Sequence, residues 1–249
     1  LMCRITGLLR HKQRRELQGS DHVFVVTDRF RQLLLSRYTD LSLKGKISVL
    51  PISFVPGRMV YSEESRQAYR GAHGWGDRFV VTYIGSALDS WQNVFRTIEV
   101  FLLIRRKLQA NAFLLLAVRQ ADHDIVLGFL DRLQVPRETY LLTHVSHDEI
   151  PALLSASDLG VFLRHSHVMN KVCTSGKVVD YLACGLPVLM TNAVSVYPQQ
   201  VKERGWGVVL RDMDNDGEIV SKLKPFLQHD PQLRYEISEE VNREHSTQS

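Results

Sequence analysis

The sequence predicts an α/β fold, a doubly wound parallel sheet with helices on both faces, preceded by part of a second α/β unit. Three observations predict it. From residue 79 onward, five apolar runs alternate with stretches whose apolar residues recur at helical spacing, as expected for strands joined by crossover helices. A loop, a helix and a buried strand follow one another in Thr174-Ser175-Gly176-Lys177-Val178-Val179-Asp180-Tyr181-Leu182-Ala183-Cys184-Gly185-Leu186-Pro187-Val188-Leu189-Met190. A shorter strand–helix–strand pattern stands ahead of both, near the start of the chain.

Leu1–Leu17 reads as an amphipathic basic helix, Val23–Thr27 as a strand, Arg29–Tyr38 as a helix and Lys46–Pro51 as a second strand. Ile52–Trp75 is polar and punctuated by Pro56-Gly57, Gly71 and Gly74, with Gly76 just beyond, and is expected to be a turn-rich linker. The chain thus divides into a partial unit at 1–51, a linker at 52–76 and a main domain at 77–249. In that domain the expected strands are Phe79–Ile84, Ala112–Val118, Thr139–Thr143, Leu159–Leu163, Pro187–Met190 and Gly207–Leu210. The expected helices between them are Trp91–Leu108, Ile125–Leu133, Glu149–Ser155 and Lys177–Cys184, and two polar helices with a frayed end follow from Asp212. Ligands of such a sheet bind beyond the C-terminal ends of the strands, so Gly85, the loop after Thr143, the loop after Leu163 and the Thr174 turn should share one rim.

Composition narrows the function classes. With 249 residues and 44% hydrophobic residues the chain can bury a real core, and no apolar run approaches the roughly 20 residues that cross a bilayer. The start lacks the apolar core and cleavage site of a signal peptide, so the expectation is a cytoplasmic protein. Cys3, Cys173 and Cys184 are too scattered for a disulfide framework or a zinc site. A net charge of +4 suits an anionic ligand or lipid face and gives no reason to expect nucleic acid.

The Thr174 stretch carries the chemistry. Thr174 or Ser175 can cap the helix, Gly176 lets backbone approach a ligand, and the N–H groups of the first turn favour phosphate. Lys177 adds a positive charge beside them. Asp180 lies one turn on, on the same side, where a ribose hydroxyl would meet a carboxylate acceptor. The spacing suits a nucleoside diphosphate.

This stretch resembles the Pro-Thr-Lys-x-x-Glu-Tyr-Leu-Ala-x-Gly-x-Pro-Val signature of GT-B-fold, retaining glycosyltransferases of the group 1, capsular-polysaccharide type, and the likeness extends from about residue 20 to about residue 210. Asp180 stands at the second acid of that family's Glu-x7-Glu pair, and Val172 replaces the first. The resemblance implies a Rossmann-like donor-binding domain with a truncated part of the acceptor-side domain at its front. It implies transfer of a hexosyl group, with retention, from a nucleotide diphosphate sugar to a sugar or lipid-linked hydroxyl acceptor in polysaccharide or glycoconjugate synthesis. The leaving diphosphate would be stabilised by Lys177 and the Gly176 helix terminus, with no metal and no further cofactor. Gly85-Ser86 would face the phosphates, His144 and Val145 the base side, and Arg164 and His165 the sugar side. Relatives carry a Lys or Arg soon after the Gly loop; here Asp89-Ser90-Trp91-Gln92-Asn93 has none, which shifts the burden onto Lys177. No residue is assigned as catalytic. Lipid-linked acceptors would let the basic N-terminal helix dock on the anionic inner face of a membrane.

Plainer readings stand beside these. Gly85 also suits a simple turn, Trp91 a helix cap, Asp158 the cap of a turn, and Asn170 and Lys171 a solvated loop. His165-Ser166-His167, with His123, His144 and His147, invites a metal, but alternate loop residues seldom converge without a nearby carboxylate. The rival functions are a nucleotide-binding regulatory protein without transfer, which Val172 favours, and a sugar-nucleotide epimerase of the same architecture.

Overall fold

The computed structural model describes residues 2–52, 57–89, 92–172, 174–194, 196–211 and 214–246, without the side chains of 2–9 and 246. In chain order the elements are α1 (Met2–Gly19), β1 (Val23–Val25), α2 (Asp28–Arg37), β2 (Ile47–Val49), α3 (Glu63–Ala72), β3 (Val80–Gly85), α4 (Val94–Lys107), β4 (Phe113–Val118), α5 (His123–Arg132) and β5 (Tyr140–Thr143). They continue with α6 (Ile150–Ala156), β6 (Leu159–Phe162), α7 (Val168–Val172), α8 (Gly176–Ala183), β7 (Val188–Thr191), α9 (Pro198–Glu203), β8 (Gly207–Leu210), α10 (Asp216–Leu223) and α11 (Pro231–Ser246).

Strands β3 to β8 form one parallel sheet in the order β5-β4-β3-β6-β7-β8. The chain winds outward from β3 to β5, returns to the middle, and winds outward again from β6 to β8. The switch point therefore lies between β3 and β6, where Val81 pairs with Leu159. Helices cover both faces, so β4 is buried at all six positions and its sequence, FLLLAV, is uniformly apolar. Alternate residues divide between the two layers. Val81, Leu114 and Val161 pack with Ile98 of α4 and Leu130 of α5. Val80, Leu115 and Met190 pack with Leu153 of α6, Tyr181 of α8 and Ile237 of α11.

At the front, β1 and β2 pair in parallel, Val23 opposite Ile47, around a small core of Leu17, Val25, Leu34, Tyr38, Leu43 and Ile47. Thr27 caps α2 by accepting from the Phe30 N–H at 3.1 Å, and its hydroxyl donates to the Val172 carbonyl. That bond joins the front unit to the main sheet domain.

Three expectations change. The turn-rich reading of 52–75 gives way to the ten-residue helix α3, capped by Ser62, which accepts from the Ser65 N–H at 3.1 Å. Its polarity misleads because the side chains it buries are Arg66 and Arg70. Asp158 does more than cap a turn: it is buried and pairs with Arg66 at 2.6 Å and Arg70 at 3.2 Å. The last helix, polar by composition, buries Arg234, Ile237, Ser238 and Val241 against the body of the domain. The short helices α7 and α9, five and six residues long, leave no periodic signal.

Candidate functional site

Helix α8 carries the site, and its position is fixed at three points. The Tyr181 hydroxyl, fully buried, accepts from the Ile84 N–H at 2.9 Å and so ties α8 to the end of β3. Gly160 admits the same ring against β6, since a Cβ there would lie 2.7 Å from Tyr181 Cδ2. At its C-terminus the Leu186 and Gly185 N–H groups bond the Tyr181 and Leu182 carbonyls, each at 2.8 Å, with Gly185 at φ +65°. This is a Schellman stop, and only glycine fits it because a Cβ would meet the Arg234 carbonyl at 2.2 Å. The helix N-terminus is thereby aimed at the switch point on the C-terminal rim of the sheet.

There the backbone is open. Ser175 occupies the cap position, but its side chain makes no capping bond, so the first-turn N–H groups are not met by the cap. A Cβ on Gly176 would find only Ile52 Cγ2, at 3.9 Å. Gly85 differs: a Cβ there would meet Gln92 Oε1 at 2.7 Å and the Tyr83 hydroxyl at 2.8 Å, so a side chain at that position would have to displace the tips of Gln92 and Tyr83.

A cavity of about 320 Å³ opens at this rim, walled by Gly85, Ser86, Arg119, His144, Val145 and Lys177 together with Asp89 and Gln92. Lys177 sits in it with its pKa held below the ordinary lysine value, by burial first and by Arg164 second. Arg164 is itself buried, and burial lowers its pKa as well. Its guanidinium lies 4.3 Å from the Phe162 ring centroid, and its Nη1 has no hydrogen-bond partner among the described residues. Two desolvated cations that disfavour each other, one with an unused donor, form an environment that an anion would relieve. Asp89 offers partial compensation, but its carboxylate also accepts from Gln92 at 2.9 Å.

Asp180 is half-buried, and burial raises its pKa against the opposing pull of His147 and Lys177. The carboxylate thus lies beside the lysine, on the same side of α8. Thr174 parts from this group and lines a separate cavity of about 280 Å³ with Thr27, Ile52 and Tyr197, between the front unit and the sheet domain. His165, exposed, and Arg164 line a neighbouring cavity of about 310 Å³ with Asn93, Arg96 and Arg211, so the two residues expected on the sugar side stay together but lie outside the wall that holds Lys177. Among the described residues, no group of three or more His, Cys, Asp or Glu side chains is placed to hold a metal. Trp91 and Cys173 lie outside the described residues. A roomier cavity of about 600 Å³ opens on the β8 edge, but its charges do not converge, and its Lys222 is already paired with Asp214 at 2.5 Å.

Sequence reasoning missed Arg119 and Asp122. The signal was available for the arginine, which directly follows β4 and so shares the rim with Gly85 and His144.

The family model for glycosyl transferases group 1 matches residues 65–243. The chain belongs to the glycosyl transferases group 1 family. Its fold is GT-B-like: WaaG, a glycosyltransferase involved in lipopolysaccharide biosynthesis, superposes with a TM-score of 0.73 at 21% identity, over 99% of this chain and 65% of WaaG. HepE from Anabaena, solved with UDP and glucose, gives 0.66 at 16% identity over 92% of this chain and 59% of HepE. The C-terminal domain of LpcC, a glycosyl transferase group 1 protein of Francisella tularensis, gives 0.57 at 17% identity over 78% of this chain and 97% of that domain. The chain therefore spans less than two thirds of the length of WaaG and HepE. No curated protein matches it by sequence.

Proposed function

We propose that the rim cavity binds the nucleoside diphosphate of a sugar donor, and that the whole protein transfers a hexosyl group from that donor to a hydroxyl acceptor. The observation that carries this reading is the half-buried Lys177 in the rim cavity beside the open N-terminus of α8, with the buried Arg164 near enough for its charge to act on the lysine. Departure of a diphosphate places negative charge on phosphate oxygens, and preorganised donors in a desolvated cleft stabilise such charge without reorganising. Lys177, Arg164 and the first-turn N–H groups fill that role in this reading, with no metal. Asp180 accepts from the ribose, and His144 and Val145 border the base. HepE, a structural relative crystallised with UDP and with UDP-glucose, supports a nucleotide-sugar donor. WaaG, whose function lies in lipopolysaccharide biosynthesis, supports a glycoconjugate acceptor. Retention of configuration, a cytoplasmic setting and docking of α1 on an anionic membrane face complete the proposal.

A second reading, nucleotide binding without transfer, is favoured by one observation. Val172, at the position of the family's first acid, is buried, and its carbonyl is taken by the Thr27 hydroxyl.

Calorimetric titration with UDP, GDP and ADP sugars tests the site, with turnover of the preferred sugar nucleotide separating the two readings. One nucleotide should bind, and Lys177→Ala should weaken it by about tenfold or more, the scale of a lost charge-assisted phosphate contact. Equal binding by parent and variant, or no binding by the parent, rejects the assignment.

A further inference from the structure

Arg119 is anchored far more firmly than an exposed arginine ordinarily is. More than half of its side chain is open to solvent, whereas the Asp122 carboxylate that holds it is completely buried. Arg119 Nε donates to Asp122 Oδ2 and Nη2 to Asp122 Oδ1, both at 3.3 Å, and Nη2 also donates to the Ser86 hydroxyl. The same Asp122 accepts from the Ala87 N–H at 2.7 Å, so one carboxylate fixes both the guanidinium and the loop that follows β3. Burial opposes the charge of Asp122, yet these hydrogen bonds outweigh it and keep the acid below the ordinary carboxylate range.

A surface ion pair contributes little to folding, while burying a carboxylate is costly. An arrangement that commits a buried acid to immobilising an exposed guanidinium makes physical sense as preorganisation of that guanidinium. Its direction is set by the cavity. Arg119 lines the wall that Lys177 shares, close enough for its charge to depress the lysine pKa, and its Nη1 is left without a protein acceptor among the described residues. A nucleobase and a ribose carry no net charge; of the parts of the nucleotide, only the phosphates match two cations facing one volume.

We propose that Arg119, held by Asp122 and Ser86, is a phosphate-binding residue of the donor site and supplies from the end of β4 the cation that the 89–93 loop lacks. The inference rests on the nucleotide reading of the cavity. It is tested by measuring the affinity of the parent for UDP, GDP and ADP and then, for the base preferred, for the diphosphate, the monophosphate and the nucleoside, in Arg119→Gln, Arg119→Lys and Lys177→Ala. Arg119→Gln should lose about tenfold for the diphosphate and under about twofold for the nucleoside, with Arg119→Lys in between. A structural role for Arg119 as mere counter-ion of Asp122 would lower all three ligands together, and that pattern overturns the proposal. Unchanged diphosphate affinity in Arg119→Gln, with Lys177→Ala weakened, overturns it while leaving the site intact. If Arg119→Gln does not fold, Arg119→Lys decides: a loss for the diphosphate that exceeds the loss for the nucleoside supports the proposal, and an equal loss for both ligands, or no loss for either, rejects it. A parent that binds none of the three nucleotides rejects the site itself.

Discussion

The two ends of β6 carry arginines in opposite conditions. At the N-terminal end, Asp158 pairs with Arg66 and Arg70, and these guanidiniums also cap the carbonyls that end α6. Arg66 donates to Ser157 O at 2.9 Å, Arg70 to Ala156 O at 2.8 Å, and Arg234 to Ser157 O at 2.7 Å and Leu154 O at 3.0 Å. The Asp158 carboxylate takes the Val80 N–H at 2.7 Å in addition. At the C-terminal end, Arg164 is equally buried but feels the charge of Lys177, and its Nη1 has no partner among the described residues. The first group is compensated by the fold and binds α3, α6, α11 and the sheet into one body. The second is compensated only in part, and a partly compensated buried charge is what a binding site retains at the expense of stability.

The comparison breaks most visibly at Asp158. Asp158→Ala leaves two buried arginines without their carboxylate and should cost about 3–5 kcal/mol in urea unfolding, the scale of breaking a buried pair from one side. A loss under about 1 kcal/mol would mean that the carbonyls alone suffice. The next test exchanges cations across the strand. Arg70→Met should lower stability by a similar amount, whereas Arg164→Met should leave the ligand-free protein as stable as the parent or more so, while weakening nucleotide binding by about tenfold. If both substitutions destabilise alike, Arg164 is structural. The smallest effect is a pH dependence. The Lys177 pKa is lowered in the free protein, chiefly by burial, and a bound phosphate would favour the ammonium form. Binding then takes up a proton once the pH exceeds the free-protein pKa, so affinity falls as pH rises through it, at most about tenfold per unit. Titrations carried from neutral pH up towards the ordinary lysine range should show this decline in the parent and a flat profile in Lys177→Met.

Much of the sheet was legible because β4 is buried on both sides and uniformly apolar, and because α8 carries its own start and stop signals, with glycine at 176 and 185. Helix α3 was not legible for the opposite reason. Its inward side chains are arginines, which composition assigns to solvent, and only the carboxylate of Asp158 and the free carbonyls of α6, distant in sequence, make their burial tolerable. The site divided in the same way. Gly176, Lys177 and Asp180 lie within two turns of one helix, so local spacing was enough to group them. Arg119 reaches the cavity from the end of β4, Arg164 lines the neighbouring one and touches Lys177 only through its charge, and Thr174, adjacent to the motif, turns away.

The sequence by itself determined the alternation of strand and helix, the positions of the strand ends, and the glycine-bounded helix α8. Those properties depend on neighbours three or four residues apart. Tertiary structure alone decided which arginines are spent on holding the fold and which are left for a ligand. That outcome turns on the acceptors each guanidinium meets far along the chain, 77 residues away for Arg234 with Ser157 and 92 for Arg66 with Asp158, and no local pattern encodes it.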